Sequence, residues 1–339
     1  MTDNAHFSDV TIIGAGPVGL FGVFACGMLG LKTQVVDALP AIGGQCTALY
    51  PDKPIFDIPA FPAINGADLI TALEKQAAPF HPTYHLGHAA STLKQDENGI
   101  FTITLTNNLE IKSKAILIAG GAGAFGPNRP PLENISDYEN KSLFYAVRNP
   151  DQFRGKTVAI AGGGDSSIDW ANILAPLAAK IYLIHRREQF RAAPASLNAL
   201  STHIESGKVE KITPFQLGAL HGDHGQISAL TLHDLDGNSR NIPADALLCF
   251  FGLNTSLGAI GTFGLELDGH QIRIDPATGE TSRPGIFAAG DIATYPHKLK
   301  LILTGFSEIS GAAHAIYRFL NPGQELHMVH STTRGIPKP

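Results

Sequence analysis

Cysteine is scarce in this sequence, which has three in 339 residues, without the regular spacing of a disulfide framework. This scarcity favours a reducing, cytoplasmic location. An excess of basic residues is also lacking, because the formal net charge is −5, and this disfavours a nucleic-acid-binding surface. The longest apolar run, residues 20–31, is broken by glycines and is too short to cross a membrane. The N-terminal stretch has acidic side chains and lacks the basic region that opens a signal peptide.

The 14 histidines contain no H-E-x-x-H motif, and the sequence therefore predicts no metal site. What the sequence has in abundance is glycine, with 36 residues, and apolar side chains, which make up 44% of the chain. This composition is typical of globular α/β enzymes, and the length allows two domains.

A glycine-rich turn follows the first apolar segment of the chain. Gly14-Ala15-Gly16-Pro17-Val18-Gly19 is a complete G-x-G-x-x-G between a predicted strand and a predicted helix. Such glycines permit a tight turn and let a pyrophosphate approach the N–H groups at the start of the helix. Asp37 ends the next predicted strand, where a carboxylate can accept hydrogen bonds from a ribose diol. The predicted dinucleotide-binding residues here are Gly14, Gly16, Pro17, Gly19 and Asp37.

Residues 156–188 repeat the order of strand, glycine turn, helix and strand, which indicates an internal duplication. The second repeat differs at the end of its second strand, where basic residues replace the acid. Guanidinium groups can hold a 2′-phosphate bidentately, whereas a carboxylate would repel it. The second site is therefore predicted to bind NADP(H), with a solvated basic surface as the alternative. Its predicted binding residues are Gly162, Gly164, Asp165, Ser166, Arg186, Arg187 and Arg191.

A third motif, Gly290-Asp291, follows another predicted strand near the C-terminus. An acid in that position can reach the ribityl and pyrophosphate region of FAD, and together with the first glycine turn it favours FAD over NAD. The sequence thus predicts an α/β fold of two Rossmann-like, three-layer ββα dinucleotide-binding domains, the second inserted into the first. The predicted FAD-binding domain comprises residues 1–121 and 248–339, and the predicted NADPH-binding domain residues 122–247. The two crossings between them are expected to allow domain rotation.

The order of these motifs resembles that of the two-dinucleotide-domain flavoproteins, and of their thioredoxin-reductase-like group in particular. Small thioredoxin reductases carry C-x-x-C just before the second glycine turn, but residues 141–157 contain no cysteine. In glutathione-reductase-type enzymes Cys46 would pair with a cysteine at position 51, which is Pro51. Cys26 and Cys249 lie in apolar segments and are predicted to be buried. Without a dithiol, the sequence most resembles the ferredoxin–NADP⁺ reductases of the thioredoxin-reductase-like type.

That resemblance implies roles for several further residues. Within the matching segments Gly43-Gly44-Gln45 and Leu49-Tyr50-Pro51, Gln45 would contact the flavin and Tyr50 would stack on one face of its ring. Ala90 would lie beside the adenine, and Phe125 against the cofactor near the crossing between domains. His330 and Thr332, in a C-terminal extension, would cover the other flavin face of a partner subunit, which implies a homodimer. A frayed tail is the alternative for this extension.

The implied activity is hydride transfer from NADPH to flavin N5, followed by one-electron steps to ferredoxin or flavodoxin. Lys298 and Lys300 are candidates for steering an acidic ferredoxin, although ordinary surface lysines are an equal alternative. Two other functions stay open at this point, namely an NADPH diaphorase or quinone oxidoreductase and a non-catalytic FAD/NADP redox sensor.

Overall fold

The computed structural model describes residues 6–147, 149–324 and 335. The chain divides into two compact units, Met1–Phe125 with Thr255–Pro339 and, inserted between these segments, Gly126–Asn254. Throughout residues 6–147 and 149–324, every helix is either too short or too polar to cross a membrane.

The regular elements follow one another in the order of two nucleotide-binding repeats. The helices are α1 (Pro17–Met28), α2 (Gln45–Ala48), α3 (Gly66–Ala77), α4 (Ile135–Tyr138), α5 (Asp165–Leu174), α6 (Pro194–Glu205) and α7 (Ile302–Leu320). Short 3₁₀ helices span Ala78–Phe80, Pro150–Phe153 and Gly258–Thr262. The strands up to the insertion are β1 (Phe7–Ile13), β2 (Thr33–Asp37), β3 (Pro54–Ile55), β4 (Ile64–Asn65), β5 (Thr83–Leu86), β6 (Ala90–Gln95), β7 (Phe101–Leu105), β8 (Glu110–Ile118) and β9 (Ala124–Pro127). Those that follow are β10 (Leu143–Phe144), β11 (Thr157–Gly162), β12 (Lys180–Ile184), β13 (Val209–Ile212), β14 (Gln216–Asp223), β15 (Gln226–His233), β16 (Ser239–Pro243), β17 (Ala246–Phe250), β18 (Leu253–Ser256), β19 (Leu267–Asp268), β20 (Gln271–Arg273), β21 (Ile286–Ala288) and β22 (Ala293–Thr294).

A seven-stranded sheet forms the centre of the first unit, in the order β5-β2-β1-β8-β7-β6, with β21 also pairing with β8. Strands β5, β2, β1, β8 and β21 run parallel, whereas β6, β7 and β8 form an antiparallel meander. The burial of strand β8 changes along its length. Buried and exposed residues alternate in its first half, and every residue from Ala115 to Ile118 is buried. There α1 and α7 cover one sheet face and a second apolar cluster covers the other.

The second unit has a five-stranded parallel sheet in the order β10-β17-β11-β12-β13. Side chains of α5 and α6 form the apolar core on one face. The antiparallel strands β14, β15 and β16 supply the core on the other face. In both units the glycine turn leaves the carboxyl end of a central parallel strand, which is the edge where such sheets bind nucleotides.

Candidate functional site

The three glycines of the first turn meet different surroundings. Gly14 has φ +113°, and a Cβ there would lie 2.3 Å from the Ala119 carbonyl oxygen. A Cβ on Gly19 would lie 1.9 Å from the Gly14 carbonyl oxygen, because α1 packs directly against the turn. Around Gly16, by contrast, the described residues leave the position of a Cβ open to a distance of 4 Å. Gly14 and Gly19 thus shape the turn, whereas Gly16 faces free space.

The carboxylate of Asp37 is fixed beside this turn by two main-chain donors. Its Oδ2 accepts a hydrogen bond of 2.6 Å from the Ala15 N–H, and its Oδ1 accepts one of 2.8 Å from the Leu39 N–H. Burial raises the pKa of Asp37, although these two hydrogen bonds act in the opposite direction. The acid is therefore oriented by the protein at the carboxyl end of β2, where the ribose of a dinucleotide is expected.

The segment around Gly43 and Gly44 lies against the glycine turn. The Gly43 N–H donates to the Ala15 carbonyl at 2.8 Å, and a Cβ on Gly44 would lie 3.1 Å from the Gly16 Cα. Both glycines have positive φ, +109° and +56°, so the chain can turn sharply there before α2 begins. This turn brings α2 and the residues after it to the open side of Gly16.

Tyr50 is held in place by Cys46, whose thiol lies 3.7 Å from the tyrosine hydroxyl. Burial, together with Cys46 and Asp291, raises the pKa of Tyr50, so the phenol stays protonated. Cys46 is itself only 1% exposed, and burial also raises its pKa, which disfavours the reactive thiolate. All three cysteines are free and buried. The geometry therefore gives Cys46 a packing role beside Tyr50.

A cavity of about 280 Å³ brings most of the predicted residues of the first unit together. Of the predicted residues, the cavity lining includes Gly14, Gly16, Pro17, Asp37, Gln45, Tyr50, Ala90 and Asp291. Gly19 packs beneath the turn instead. The cavity lining also includes residues 119–121, 257–260 and 301–302, which no motif in the sequence indicated. Residues 119–121 directly follow β8 at the carboxyl edge of the sheet, so the sheet topology indicates them. The apolar segment 257–260 has neither a motif nor a place in the sheet that would indicate it.

Lys298 does not lie at the surface, and the expectation that it steers an acidic partner is wrong. Its side chain is only 4% exposed and forms an ion pair with Glu308, with 2.6 Å between Nζ and Oε1. The same Nζ donates to the Gly290 carbonyl at 2.8 Å. Lys300, the other candidate, is exposed. The sequence around Lys298 does not reveal its burial, because its partner Glu308 lies on the distant helix α7.

The second glycine turn repeats the first with different neighbours. A Cβ on Gly162 would lie 2.1 Å from the Oγ of Ser167, which is fully buried, so α5 packs closely against β11 there. A Cβ on Gly163 would lie 2.2 Å from the His185 ring. The nearest described atom to a Cβ on Gly164 is the Arg191 carbonyl oxygen, 4.0 Å away, and this side of the turn is open.

The basic segment after β12 is attached to this turn through its main chain. The Arg191 N–H donates to the Gly163 carbonyl at 2.7 Å, and the Asp165 carboxylate accepts a 2.9 Å hydrogen bond from the Ala193 N–H. Arg186, Arg187 and Arg191 are all exposed. The predicted residues of the second site thus lie on two segments that contact each other.

The ring of His185 lies against Gly163 of this turn, and the lowered pKa of His185 disfavours its charged form near neutral pH. Its ring stacks on Phe190 with 5.6 Å between centroids. Burial lowers the pKa of His185, and the nearby charges of Arg186, Arg187 and Arg191 lower it further. The positive charge beside His185 therefore comes from these guanidinium groups and from Lys211.

Three predicted residues cannot be placed. The backbone of Phe125 lies in β9, but its side chain is outside the described part of the structure. His330 and Thr332 lie outside the described residues altogether.

Within residues 6–147 and 149–324, no cluster of three or more His, Cys, Asp or Glu side chains could hold a metal ion.

Fold and site together define a two-domain protein of the dinucleotide-binding class, with one glycine-turn site in each unit. The chain belongs to the pyridine nucleotide-disulphide oxidoreductase family, whose match spans residues 8–315. It is 52% identical to a ferredoxin–NADP reductase of Paramagnetospirillum magneticum, over 98% of this chain and 99% of that protein. It is also 52% identical to a ferredoxin–NADP reductase of Gluconobacter oxydans, over 97% of each chain. These matches confirm the resemblance that the motifs predicted.

Solved structures confirm the predicted fold class. The thioredoxin reductase of Lactococcus lactis superposes with a TM-score of 0.77 over 92% of this chain and 99% of that one, at 22% identity. The thioredoxin reductase of T. acidophilum superposes with a TM-score of 0.76 over 92% and 98%, also at 22% identity. At such identities the likeness shows the shared fold alone.

Proposed function

We propose that this chain is an FAD-dependent ferredoxin–NADP⁺ oxidoreductase that passes electrons between NADP(H) and ferredoxin or flavodoxin. The observation that carries the proposal is the cavity of the first unit, where the open side of Gly16 and the ring of Tyr50 meet with no second thiol beside Cys46. The names of relatives that match almost the whole chain support the same activity.

The residues of the first unit fit FAD. Gly14, Gly16 and Pro17 would receive the pyrophosphate at the start of α1, because the open space at Gly16 is what a close phosphate requires. Asp37 would bind the adenosine ribose, and Ala90 would border the adenine. Gln45 and Tyr50 would contact the flavin ring, and Asp291 the ribityl chain. When bound, FAD supplies the exchange of a hydride for single electrons.

The second unit would hold NADP(H). Gly162, Gly164, Asp165 and Ser166 would form the turn that meets the pyrophosphate. Arg186, Arg187 and Arg191 would take the 2′-phosphate, because exposed guanidinium groups at this edge are free to bind it bidentately. Since His185 is neutral near pH 7, affinity there depends on the arginines.

The chain's own contribution near the flavin is to orient it and to exclude water. Tyr50 is fixed by Cys46 and stays protonated, so it presents an uncharged ring to the cavity. Phe125 is proposed to pack against the cofactor, and His330 and Thr332 to cover the flavin of a partner subunit.

A homodimer is supported by an exposed apolar surface on the first unit. Phe56 is 71% exposed, Phe61 44% and Leu303 43%, and all three line one shallow groove. Contiguous apolar surface of this kind marks interaction sites, and we propose a second copy of the chain as its occupant.

Exposed Lys300 stays a candidate contact for an acidic ferredoxin. We place the enzyme in the cytoplasm, where its isolated thiols would stay reduced.

Steady-state turnover tests the proposed activity. The purified protein is assayed with ferredoxin, flavodoxin and a quinone side by side, each with NADPH and with NADH. We expect NADPH to bleach the bound flavin rapidly and ferredoxin or flavodoxin to reoxidise it, with kcat/KM for NADPH at least about tenfold above that for NADH. Preferred turnover of the quinone would indicate a diaphorase instead. Slow bleaching without turnover of any acceptor would indicate a redox sensor.

A further inference from the structure

The ion pair between Lys298 and Glu308 is buried inside the first unit, with side-chain exposures of 4% and 3%. Removing two charges from water is costly, and a buried pair often gives no more stability than apolar residues of the same shape. Stability alone is therefore a poor explanation for this pair, and its other contacts indicate what it does.

Those contacts converge on Gly290. Glu308 Oε2 accepts the Gly290 N–H at 2.7 Å, while Lys298 Nζ donates to the Gly290 carbonyl at 2.8 Å. Glu308 Oε1 also accepts a hydrogen bond of 2.8 Å from the Tyr295 hydroxyl. Both main-chain polar groups of one residue are thus bound by the two members of one ion pair, which fixes the peptide units on both sides of Gly290.

Gly290 needs such support because its backbone is in the left-handed region, with φ +78°. A Cβ there would lie 3.3 Å from Val18 Cγ1 on α1, so the turn is also confined sterically. The next residue, Asp291, lines the cavity. Burial raises the pKa of Asp291, whereas Lys298 and Lys300 lower it. The charge of Lys298 therefore acts on the cavity wall.

We propose that Lys298 and Glu308 are positioning residues, which hold the Gly290 turn so that Asp291 presents its carboxylate to the sugar-phosphate part of a flavin nucleotide. Lys298 also supplies positive charge beside that part of the cavity. This inference rests on the proposed FAD site of the first unit.

The test separates positioning from simple structural support by removing both charges together. Lys298→Met alone leaves the Glu308 charge unpaired, and we expect it to lower the urea midpoint of unfolding. In the double variant K298M/E308Q the glutamine oxygen can still accept the Gly290 N–H, while its NH2 group can donate to the Tyr295 hydroxyl oxygen, and we expect the midpoint to recover. Each protein is unfolded at the same ratio of FAD to its own Kd, so that ligand binding contributes equally.

We expect the stable double variant to bind FAD at least tenfold more weakly, as measured by flavin fluorescence on dilution of the holoenzyme. In Lys298→Met, which removes the positive charge and keeps Glu308, we also expect the flavin midpoint potential to fall, because Lys298 no longer stabilises the more negative reduced flavin. A tenfold preference between redox states corresponds to about 30 mV for two electrons. Lys298→Arg keeps the charge and should bind FAD within threefold of the wild-type affinity.

The matched control is D9N/K114M, which removes the ion pair of 2.8 Å between Asp9 and Lys114 in the same unit, away from the cavity lining. It should leave both the FAD Kd and the potential unchanged. If K298M/E308Q keeps the wild-type Kd within twofold, if Lys298→Met keeps the wild-type potential, or if Lys298→Arg binds FAD as weakly as the charge-removing variants, the inference is wrong. A wild-type chain that binds no FAD would instead overturn the proposed function, and this inference with it.

Discussion

The substitution Gly16→Ala separates the folding role of the first glycine turn from its binding role. Gly16 has φ −70° and ψ −177°, a conformation that alanine adopts without strain. Its Cβ would meet none of the described residues within 4 Å. Gly16 is also the N-cap of α1, where alanine is less favourable than glycine, but alanine loses less chain entropy on folding. We expect the free energy of unfolding to change by less than about 1 kcal/mol.

Binding should respond differently, because the new methyl group points into the space proposed for the pyrophosphate. Moving the phosphate outward would weaken one or two hydrogen bonds from the N–H groups at the start of α1. Each hydrogen bond to a charged group contributes about 1.5–3 kcal/mol. A loss of about 2–4 kcal/mol corresponds to FAD binding that is roughly 30- to 1,000-fold weaker.

The assay compares Gly16→Ala with Gly19→Ala in parallel. FAD affinity is measured by titration of flavin fluorescence, and stability by urea unfolding at the same FAD saturation. Gly19→Ala should fail to fold or lose several kcal/mol, roughly in the range for severe overpacking, because its Cβ would lie 1.9 Å from a carbonyl oxygen that cannot move freely. Wild-type FAD affinity in a well-folded Gly16→Ala protein would refute the placement of the pyrophosphate at this turn.

The remaining predictions concern the second unit, the thiol and acid stability. R186E/R187E should raise KM for NADPH at least about tenfold and leave KM for NADH within about twofold. The control is Arg154→Glu, at an exposed arginine of the same unit. An equal loss of affinity for both cofactors would contradict the 2′-phosphate assignment. Cys46→Ser should keep ferredoxin turnover within about threefold, because a buried thiol with a raised pKa performs no redox step; complete inactivation would argue otherwise. The hydrogen bond from Arg240 lowers the pKa of Glu210, so its stabilisation is present above the ordinary value of 4.5 and lost as pH falls below it. The free energy of unfolding of Glu210→Gln, measured with urea, should therefore depend less on pH in this acidic range than that of the wild type. The difference should stay under about 1 kcal/mol, because the pair is partly exposed.

The parts of the site that were predictable from the sequence are those with strict local requirements. Gly14, Gly19 and Gly162 have almost no space for a Cβ, so residue type and spacing alone reveal the turns. Asp37 was identifiable because parallel strands bring their carboxyl ends to one edge, whatever the rest of the chain does. Strand β7 is another local case, because its apolar residues Phe101, Ile103 and Leu105 alternate with threonines and are the buried ones.

The remaining features depend on contacts between distant segments. Residues 257–260 line the cavity from the other side of the insertion, and their apolar side chains carry no chemical signature. A lysine considered alone is expected at the surface, whereas the burial of Lys298 depends on its ion pair with Glu308, which also accepts a hydrogen bond from Tyr295. A buried charge can be recognised only together with its partner, and here the partner is supplied by the packing of α7.

The likeness to thioredoxin reductases also shows why fold and chemistry have to be argued separately. The superposition covers 92% of this chain, yet no pair of its thiols is placed for disulfide exchange. Cys26 lies in the core, where burial raises its pKa to about 12, and Cys249 lies in the buried strand β17, where burial also raises its pKa. Only Cys46 reaches the cavity, and its thiol contacts the phenol of Tyr50. The position that would need a sulfur partner is Pro51, next to Tyr50. The segment before the second glycine turn, residues 141–157, also contains no cysteine. Beside Cys46 the chain therefore has an aromatic ring that can cover a flavin in place of a second thiol, and this difference favours electron transfer to a separate protein over reduction of a disulfide.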